Sequence, residues 1–281
     1  MGSLSYVLKL IWLEDSNRGE RLRRVFFFFC WQIWKRIVGT PVNAHLFNGF
    51  RIRVRPDCDV SPAAFYYSLP SSRHLSLVRK FLNGGAFVDV GANVGLVTLL
   101  MADKIGHAVL FEPSPVASRR AKENLLMNKL PYEVFPVALS DTTGDIEFEN
   151  LGASSCNRTV QGFATSIPTI TVRRTTFDRF LEERSIPLPP IDAVKIDVEG
   201  HENAVLRGMK EFLRNHRPKV VMFEYLARTD LRETLDILDK VGYSVFELST
   251  SGVRRIEEAA EVKPLQDLFA CPNENANSFG S

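Results

Sequence analysis

One stretch, Phe87-Val88-Asp89-Val90-Gly91-Ala92-Asn93-Val94-Gly95, constrains the fold of this chain more than any other. Phe87, Val88 and Val90 are the aromatic and β-branched residues of a strand buried on both faces. Gly91 and Gly95 then let the backbone bend and approach a ligand without intervening Cβ atoms. A helix opening near Val94 presents its unpaired N–H groups to the same place. A strand that runs through a glycine bend into a helix is the ligand-binding unit of an open α/β sheet.

The chemistry of the bend narrows the ligand. Its spacing, Asp-x-Gly-x-Asn-x-Gly, departs from the G-x-G-x-x-G that lets a pyrophosphate reach a helix start. A carboxylate at Asp89 repels pyrophosphate and favours a cationic group, such as the amino or sulfonium region of S-adenosylmethionine. Next come an apolar-periodic helix (Leu96, Leu99, Leu100), the strand Ala108–Phe111 and the pair Glu112-Pro113. That places an acid about 20 residues beyond the bend, at the end of the next strand, where nucleotide-binding α/β folds hold ribose hydroxyls.

Composition adds limits. The chain has 281 residues, a formal net charge of +2 and 24% charged residues, with no basic tail or stripe that would argue for nucleic acid. Cys30, Cys58, Cys156 and Cys271 are far apart and form no C-x-x-C pair, which suggests reduced thiols in a cytoplasmic protein rather than a zinc site or disulfide framework. The run from Val25 to Trp34 contains four consecutive phenylalanines but is too short to span a bilayer, and acids and arginines before it argue against a signal peptide. Two roles stay open for it: peripheral contact with a membrane, and packing on the core or a second subunit. The second is preferred, because four adjacent phenylalanines coat every side of a helix.

Residues 1–84 read as an N-terminal extension, with a hairpin around Asn48-Gly49 whose second strand aligns Arg51, Arg53 and Arg55 on one face. These arginines fit a solvated sheet edge; a site for an anionic substrate group is the minority reading. From residue 85 to 272 strands alternate with helices, the pattern of a doubly wound α/β sheet, and 273–281 reads as a polar, frayed tail. Ser114 caps a helix with Pro115 in its first turn. Asp145–Glu149 and Thr169–Arg173 break the alternation as a β excursion around a long loop, in which Ser154, Ser155, Asn157 and Arg158 are candidates for substrate selection. The strand ending at Ile196 leads into Asp197-Val198-Glu199-Gly200-His201, so these acids and the imidazole face the same crevice as Asp89; Lys195 within the strand requires an acidic partner.

The bend resembles the cofactor loop of class I methyltransferases. Together the motifs F-V-D-V-G-A-N-V-G, F-E-P-S, A-L-S-D, T-F-D-R-F and K-I-D-V-E-G-H-E, in that order, resemble the FkbM family of S-adenosylmethionine-dependent methyltransferases. The resemblance implies a Rossmann-like sheet of about seven strands and O-methylation of a hydroxyl on a sugar, glycan or similar natural-product acceptor. It also assigns Ser140 and Asp141 to the cofactor's base, beside Asp89, Gly91, Asn93, Gly95, Glu112, Pro113 and Asp197 as cofactor-binding residues. A hydroxyl nucleophile gains from a nearby base; His201 is the first candidate, Glu199 the second, and Asp197 serves the cofactor or steers the acceptor. With Glu224, these three also form a possible oxygen and nitrogen set for a divalent ion, a reading ranked below the base because no paired ligand spacing supports it. Rival readings are a nicotinamide-dependent oxidoreductase and a non-catalytic binding protein.

Overall fold

The computed structural model describes residues 21–66, 73–149, 159, 167–185, 187–249 and 252–279. Its centre is an eight-stranded sheet. Five strands run parallel: β3 (Ala86–Val90), β4 (His107–Phe111), β5 (Tyr132–Phe135), β9 (Ile191–Ile196) and β10 (Val220–Tyr225). Strand β13 (Gln266–Pro272) inserts antiparallel between β10 and β11 (Tyr243–Ser249), and β12 (Gly252–Ile256) closes the edge as a hairpin with β11. The order β12-β11-β13-β10-β9-β3-β4-β5 makes this the Rossmann-like α/β sheet expected, with one strand more than the seven because the terminal hairpin extends it. Between β3 and β9 the winding reverses direction, which opens a crevice at the carboxyl ends of the parallel strands.

The pleat sorts side chains onto two buried layers. Phe87 of β3 joins α3 (Arg73–Phe81), α4 (Leu96–Met101) and α5 (Pro115–Met127) on one face. Val88 and Val90 join α6 (Phe177–Glu182), α7 (Glu202–Arg207), α8 (Lys210–His216) and α9 (Leu231–Lys240) on the other. Ser114 caps α5 as expected, its Oγ accepting from the Ala117 N–H with Pro115 following. Between α7 and α8 lies Gly208, where a Cβ would stand 1.9 Å from the Ser140 carbonyl oxygen.

The N-terminal residues share the first layer. Helix α1 (Arg21–Ile37) turns Phe28 and Trp31 inward, Trp31 stacking obliquely on Phe65 of α2 (Ala63–Tyr66) with centroids 5.5 Å apart. The phenylalanines do not pack all round: Phe26, Phe29 and Ile33 stay exposed, since only one side of the helix meets the core. Strands β1 (Val42–His45) and β2 (Arg51–Val54) form the hairpin around Asn48-Gly49. The free edge of β2 is satisfied by α5: the Arg51 and Arg53 N–H groups donate to the side-chain oxygens of Asn128 and Asn124, and the Asn128 amide donates back to the Arg51 carbonyl. Arg51 donates to the Met127 carbonyl and Arg55 pairs with Glu123, so these arginines bind the hairpin to α5.

Within the tail, residues 273–279 are not frayed. Asn273–Ser278 coils as a 3-10 helix and Phe279 is buried, stacked on Phe81 and tilted against Phe246, with centroids 5.1 and 4.7 Å away. Burying one phenylalanine contributes about 1.5–3 kcal/mol, enough to hold a short polar segment down.

The β excursion forms its own three-stranded sheet, β6 (Ala138–Leu139), β8 (Thr169–Thr175) and β7 (Gly144–Glu149), in that spatial order. It carries a small core of Ala138, Phe148 and Val172, with Ile146 and Ile170 against it. Ser154, Ser155, Asn157 and Arg158 lie outside the described residues. Among the described residues no helix is long and apolar enough to cross a membrane.

Candidate active site

A cavity of about 320 Å³ opens at the switch point between β3 and β9. Its wall includes Gly91, Asn93, Glu112, Pro113, Asp197, Glu199, His201 and Glu224. The bend after β3 folds tightly against the end of β9. Gly91 has φ +74°, and a Cβ there would lie 1.9 Å from the Asp197 carbonyl oxygen. Gly91→Ala is therefore expected to displace the bend and abolish cofactor binding while far-ultraviolet circular dichroism keeps its α/β shape; binding at the unaltered level would show that the bend tolerates opening. Asn93 and Glu199, both non-glycine residues with positive φ (50° and 55°), flank the same cavity, placing backbone of higher energy at the site. Gly95 does not reach the wall: the space beside it is filled by Ala121 and Leu110, so it serves helix packing.

Glu112 stands where the sequence places it, at the end of β4 and 5% exposed. Its two oxygens accept from the Asn93 and Ser114 backbone N–H groups, both at 2.8 Å, fixing the carboxylate across the bend. Burial pushes its pKa up to about 7, against the opposing pull of these two hydrogen bonds.

Asp89 requires a correction. It is fully buried and absent from the cavity wall, because β3 is covered on both faces and its pleat turns Asp89 under α4. There it accepts from Thr98 Oγ1 at 2.7 Å and pairs with Lys195 Nζ at 3.2 Å. Its charge is thus matched internally and does not face a ligand. Lys195 also donates to the Gly91 carbonyl at 2.9 Å and lies 3.4 Å from Asp197, joining the bend, β3 and the end of β9. Burial opposes its charge, but Asp197 and Asp89 outweigh this and hold its pKa above the ordinary lysine range.

The carboxyl groups that face the cavity are instead those of Glu112, Asp197, Glu199 and Glu224. Among the described residues one buried oxygen of Glu224 has no hydrogen-bond partner, and burial, reinforced by Asp197 and Glu199, raises its pKa to about 8. Ligand atoms of Asp197, Glu199 and Glu224 fall within 4.8 Å of one another. Two of the three already face cations, Asp197 facing Lys195 and Glu199 pairing with Arg228 at 2.8 Å, and His201 is not part of the group.

His201 precedes α7 as its N-cap without a side-chain capping bond and borders the cavity. Its Nε2 lies 2.9 Å from Ser140 Oγ. Burial lowers its pKa, leaving the imidazole neutral at pH 7. Ser140 and Asp141 also stand elsewhere than expected: Ser140 is fully buried behind His201, and Asp141 pairs with Arg207 at 2.8 Å, neither on the wall. Pairing of β6 with β8 turns this loop inward, and Val137, Ala138 and Leu139 line the cavity in its place.

Residues 89–245, more than half of the chain, match the model of the methyltransferase FkbM domain. The chain belongs to the FkbM methyltransferase domain family. A curated relative, the hexuronic acid methyltransferase AglP of Haloferax volcanii, is 30% identical over 160 residues. That match covers 56% of this chain and 62% of the relative, so the chain spans under two thirds of AglP. Among solved structures, TYW2 of M. jannaschii in complex with AdoMet is 15% identical with a TM-score of 0.43, covering 82% of this chain and 84% of that one. A putative O-methyltransferase from Klebsiella pneumoniae is 14% identical with a TM-score of 0.43, covering 74% and 81%.

The FkbM match holds the bend, Glu112, Lys195 and His201, but the cavity also draws on Val60 from outside it. Val60, Phe148 and Thr159 were not legible as site residues. Phe148 had one signal, as the apolar end of the alternating β7 segment, and its bridge to Thr159 appears only in three dimensions.

Proposed function

We propose that this protein transfers a methyl group from S-adenosylmethionine to a hydroxyl oxygen of a sugar or glycan acceptor, acting in the cytoplasm. The observation that supports this best is that one cavity unites the Gly91–Asn93 bend, the anchored carboxylate of Glu112 and the neutral imidazole of His201. The residues present fit the cofactor. Glu112 offers a fixed acceptor for ribose hydroxyls, and Phe111, Val137 and Leu139 offer an apolar strip for adenine. Asp197 and the unpartnered oxygen of Glu224 suit the amino and sulfonium cations. When bound, S-adenosylmethionine supplies an electrophilic methyl carbon.

The chain's own residues do the rest. His201 takes the acceptor's hydroxyl proton, and Ser140 Oγ fixes the orientation of the ring. Lys195 keeps the bend and the end of β9 in register, so that acceptor and cofactor share one alignment. The FkbM match and the hexuronic acid specificity of AglP favour a sugar acceptor.

Calorimetry with S-adenosylhomocysteine and with NAD tests the cofactor, and labelled methyl transfer to uronic-acid-containing glycans tests the acceptor. Binding of NAD alone favours an oxidoreductase, and binding of neither favours a non-catalytic protein. Loss of turnover on chelation would favour metal held by Asp197, Glu199 and Glu224. One titration is diagnostic: with Glu112 protonating near pH 7, S-adenosylhomocysteine affinity is expected to fall by up to about tenfold per pH unit below 7. Glu112→Gln should remove that slope, and an unchanged slope would move the titration to another group.

A further inference from the structure

Glu202, the first residue of α7, is a fully buried acid that the chemistry proposed above leaves unused. A carboxyl group is tolerated in such a place only where donors meet it. One of its oxygens accepts from the Val198 and Gly200 N–H groups, at 3.2 and 3.0 Å, and the other accepts from the Thr229 hydroxyl at 3.4 Å. Burial raises its pKa, opposed by the backbone N–H groups of Glu202 itself, Gly200 and Val198. Its partners outside α7 therefore lie in two turns, the one that follows β9 and the one that follows β10.

The turn after β9 needs holding. Glu199 and Gly200 both have positive φ, 55° and 95°, and in a non-glycine residue such backbone persists only where the surroundings over-determine it. Arg228 supplies a second hold from the solvent side. Its Nε donates to the Glu199 carbonyl at 3.0 Å and its Nη2 to the Glu199 carboxylate at 2.8 Å. The guanidinium lies so close across the turn that a Cβ on Gly200 would stand 2.2 Å from Nε. Thr229 is fixed in its own turn, its Oγ1 accepting from the Leu226 N–H at 3.4 Å. Asp197 is held by other means: its N–H donates to the Val90 carbonyl at 3.1 Å and its carboxylate faces Lys195. Glu202 and Arg228 thus act on the segment that carries His201 and leave the cofactor end to separate anchors.

We propose that Glu202 and Arg228 are positioning residues for methyl transfer, locking turn 198–201 from inside and outside so that His201 meets the acceptor hydroxyl in one fixed place. This role rests on the function proposed above, in which His201 takes the hydroxyl proton.

Glu202→Ala leaves two N–H groups of the turn without their acceptor and should lower kcat by about 10², the cost of a displacement of about 1 Å. S-adenosylhomocysteine affinity should stay at the parental level, because Asp197 and Glu112 keep their own anchors. Glu202→Gln retains an oxygen for both N–H groups and should recover most of the lost kcat; no recovery would assign the effect to the buried charge and overturn the lock. Arg228→Met, at a half-exposed position, should lower kcat by about tenfold with the circular dichroism spectrum unchanged, and it decides the question if Glu202→Ala fails to fold.

Amide exchange followed by NMR needs no substrate. The Val198 and Gly200 N–H groups should be protected in the parent and exchange at least about tenfold faster in Glu202→Ala. Unprotected amides in the parent, parental kcat in the variants, or a fall in kcat matched by an equal loss of S-adenosylhomocysteine affinity would each overturn the proposal. A rise of kcat in Arg228→Met would also overturn it, and would make Glu199 the base that the ion pair restrains. Protected amides in a parent that transfers no methyl group would leave the lock standing and refute the function on which its role rests.

Discussion

Lys195→Met is expected to destabilise the protein by about 3–5 kcal/mol, because it leaves Asp89 as an uncompensated charge in the core. Asp89 is fully buried and its partners are the Lys195 ammonium and the Thr98 hydroxyl. The Lys195→Met/Asp89→Asn double variant should recover most of that loss, since removing both charges also removes the burial cost. Urea unfolding monitored by circular dichroism measures both. The variants separate two duties of the lysine. The double variant restores the core but lacks the hydrogen bond from Nζ to the Gly91 carbonyl, so S-adenosylhomocysteine binding should stay weak while stability returns. A single variant within 1 kcal/mol of the parent would mean that water reaches Asp89, contrary to its burial.

His201→Gln is expected to lower kcat by about 10² to 10⁴ while S-adenosylhomocysteine affinity changes less than twofold. The imidazole borders the cavity, and burial keeps it neutral near pH 7, the form that accepts a proton. Its pKa lies below the usual histidine value, so at saturating S-adenosylmethionine, where the Glu112 titration no longer limits binding, parental kcat should fall only below about pH 6.5. The glutamine variant should lack that acid limb. Ser140→Ala, which removes the hydroxyl 2.9 Å from Nε2, should cost about tenfold or less and leave the limb in place, as expected of a positioning residue. If His201→Gln kept full kcat, Glu199 would become the leading base, although its ion pair with Arg228 already occupies one of its oxygens.

The sheet and the bend could be read from local pattern because each rests on short-range chemistry. A strand of Phe87, Val88 and Val90 ending in Gly91, an acid at the end of the next strand, and a serine-proline helix start are all decided within a few residues. The need of Lys195 for an acidic partner was also legible, since a lysine in a buried strand requires one; it has Asp89 and Asp197. What could not be read is the direction in which an acid points. Asp89 lies on the pleat opposite to Val88 and Val90, and only the position of α4 shows that the carboxylate turns under a helix. Ser140 and Asp141 failed for a related reason: the two-residue β6 exists only through pairing with β8, about 35 residues later, and that pairing turns the loop inward. The fate of Phe279 likewise depends on Phe81 and Phe246, distant in sequence and adjacent in space.

The small sheet of β6, β8 and β7 packs Phe148 and Val172 into a cluster separate from the two layers of the main sheet, yet it lends Phe148 and Thr159 to the cavity wall. Hydrophobic support is local for Phe148 and Val172, whereas Leu139 of β6 packs in the main core beside β3 and β4. If the proposed function holds, exchanges at Phe148 and Val172 are where acceptor preference is expected to change with least effect on cofactor binding, because Leu139 of the same sheet belongs to the main core and to the strip offered to adenine.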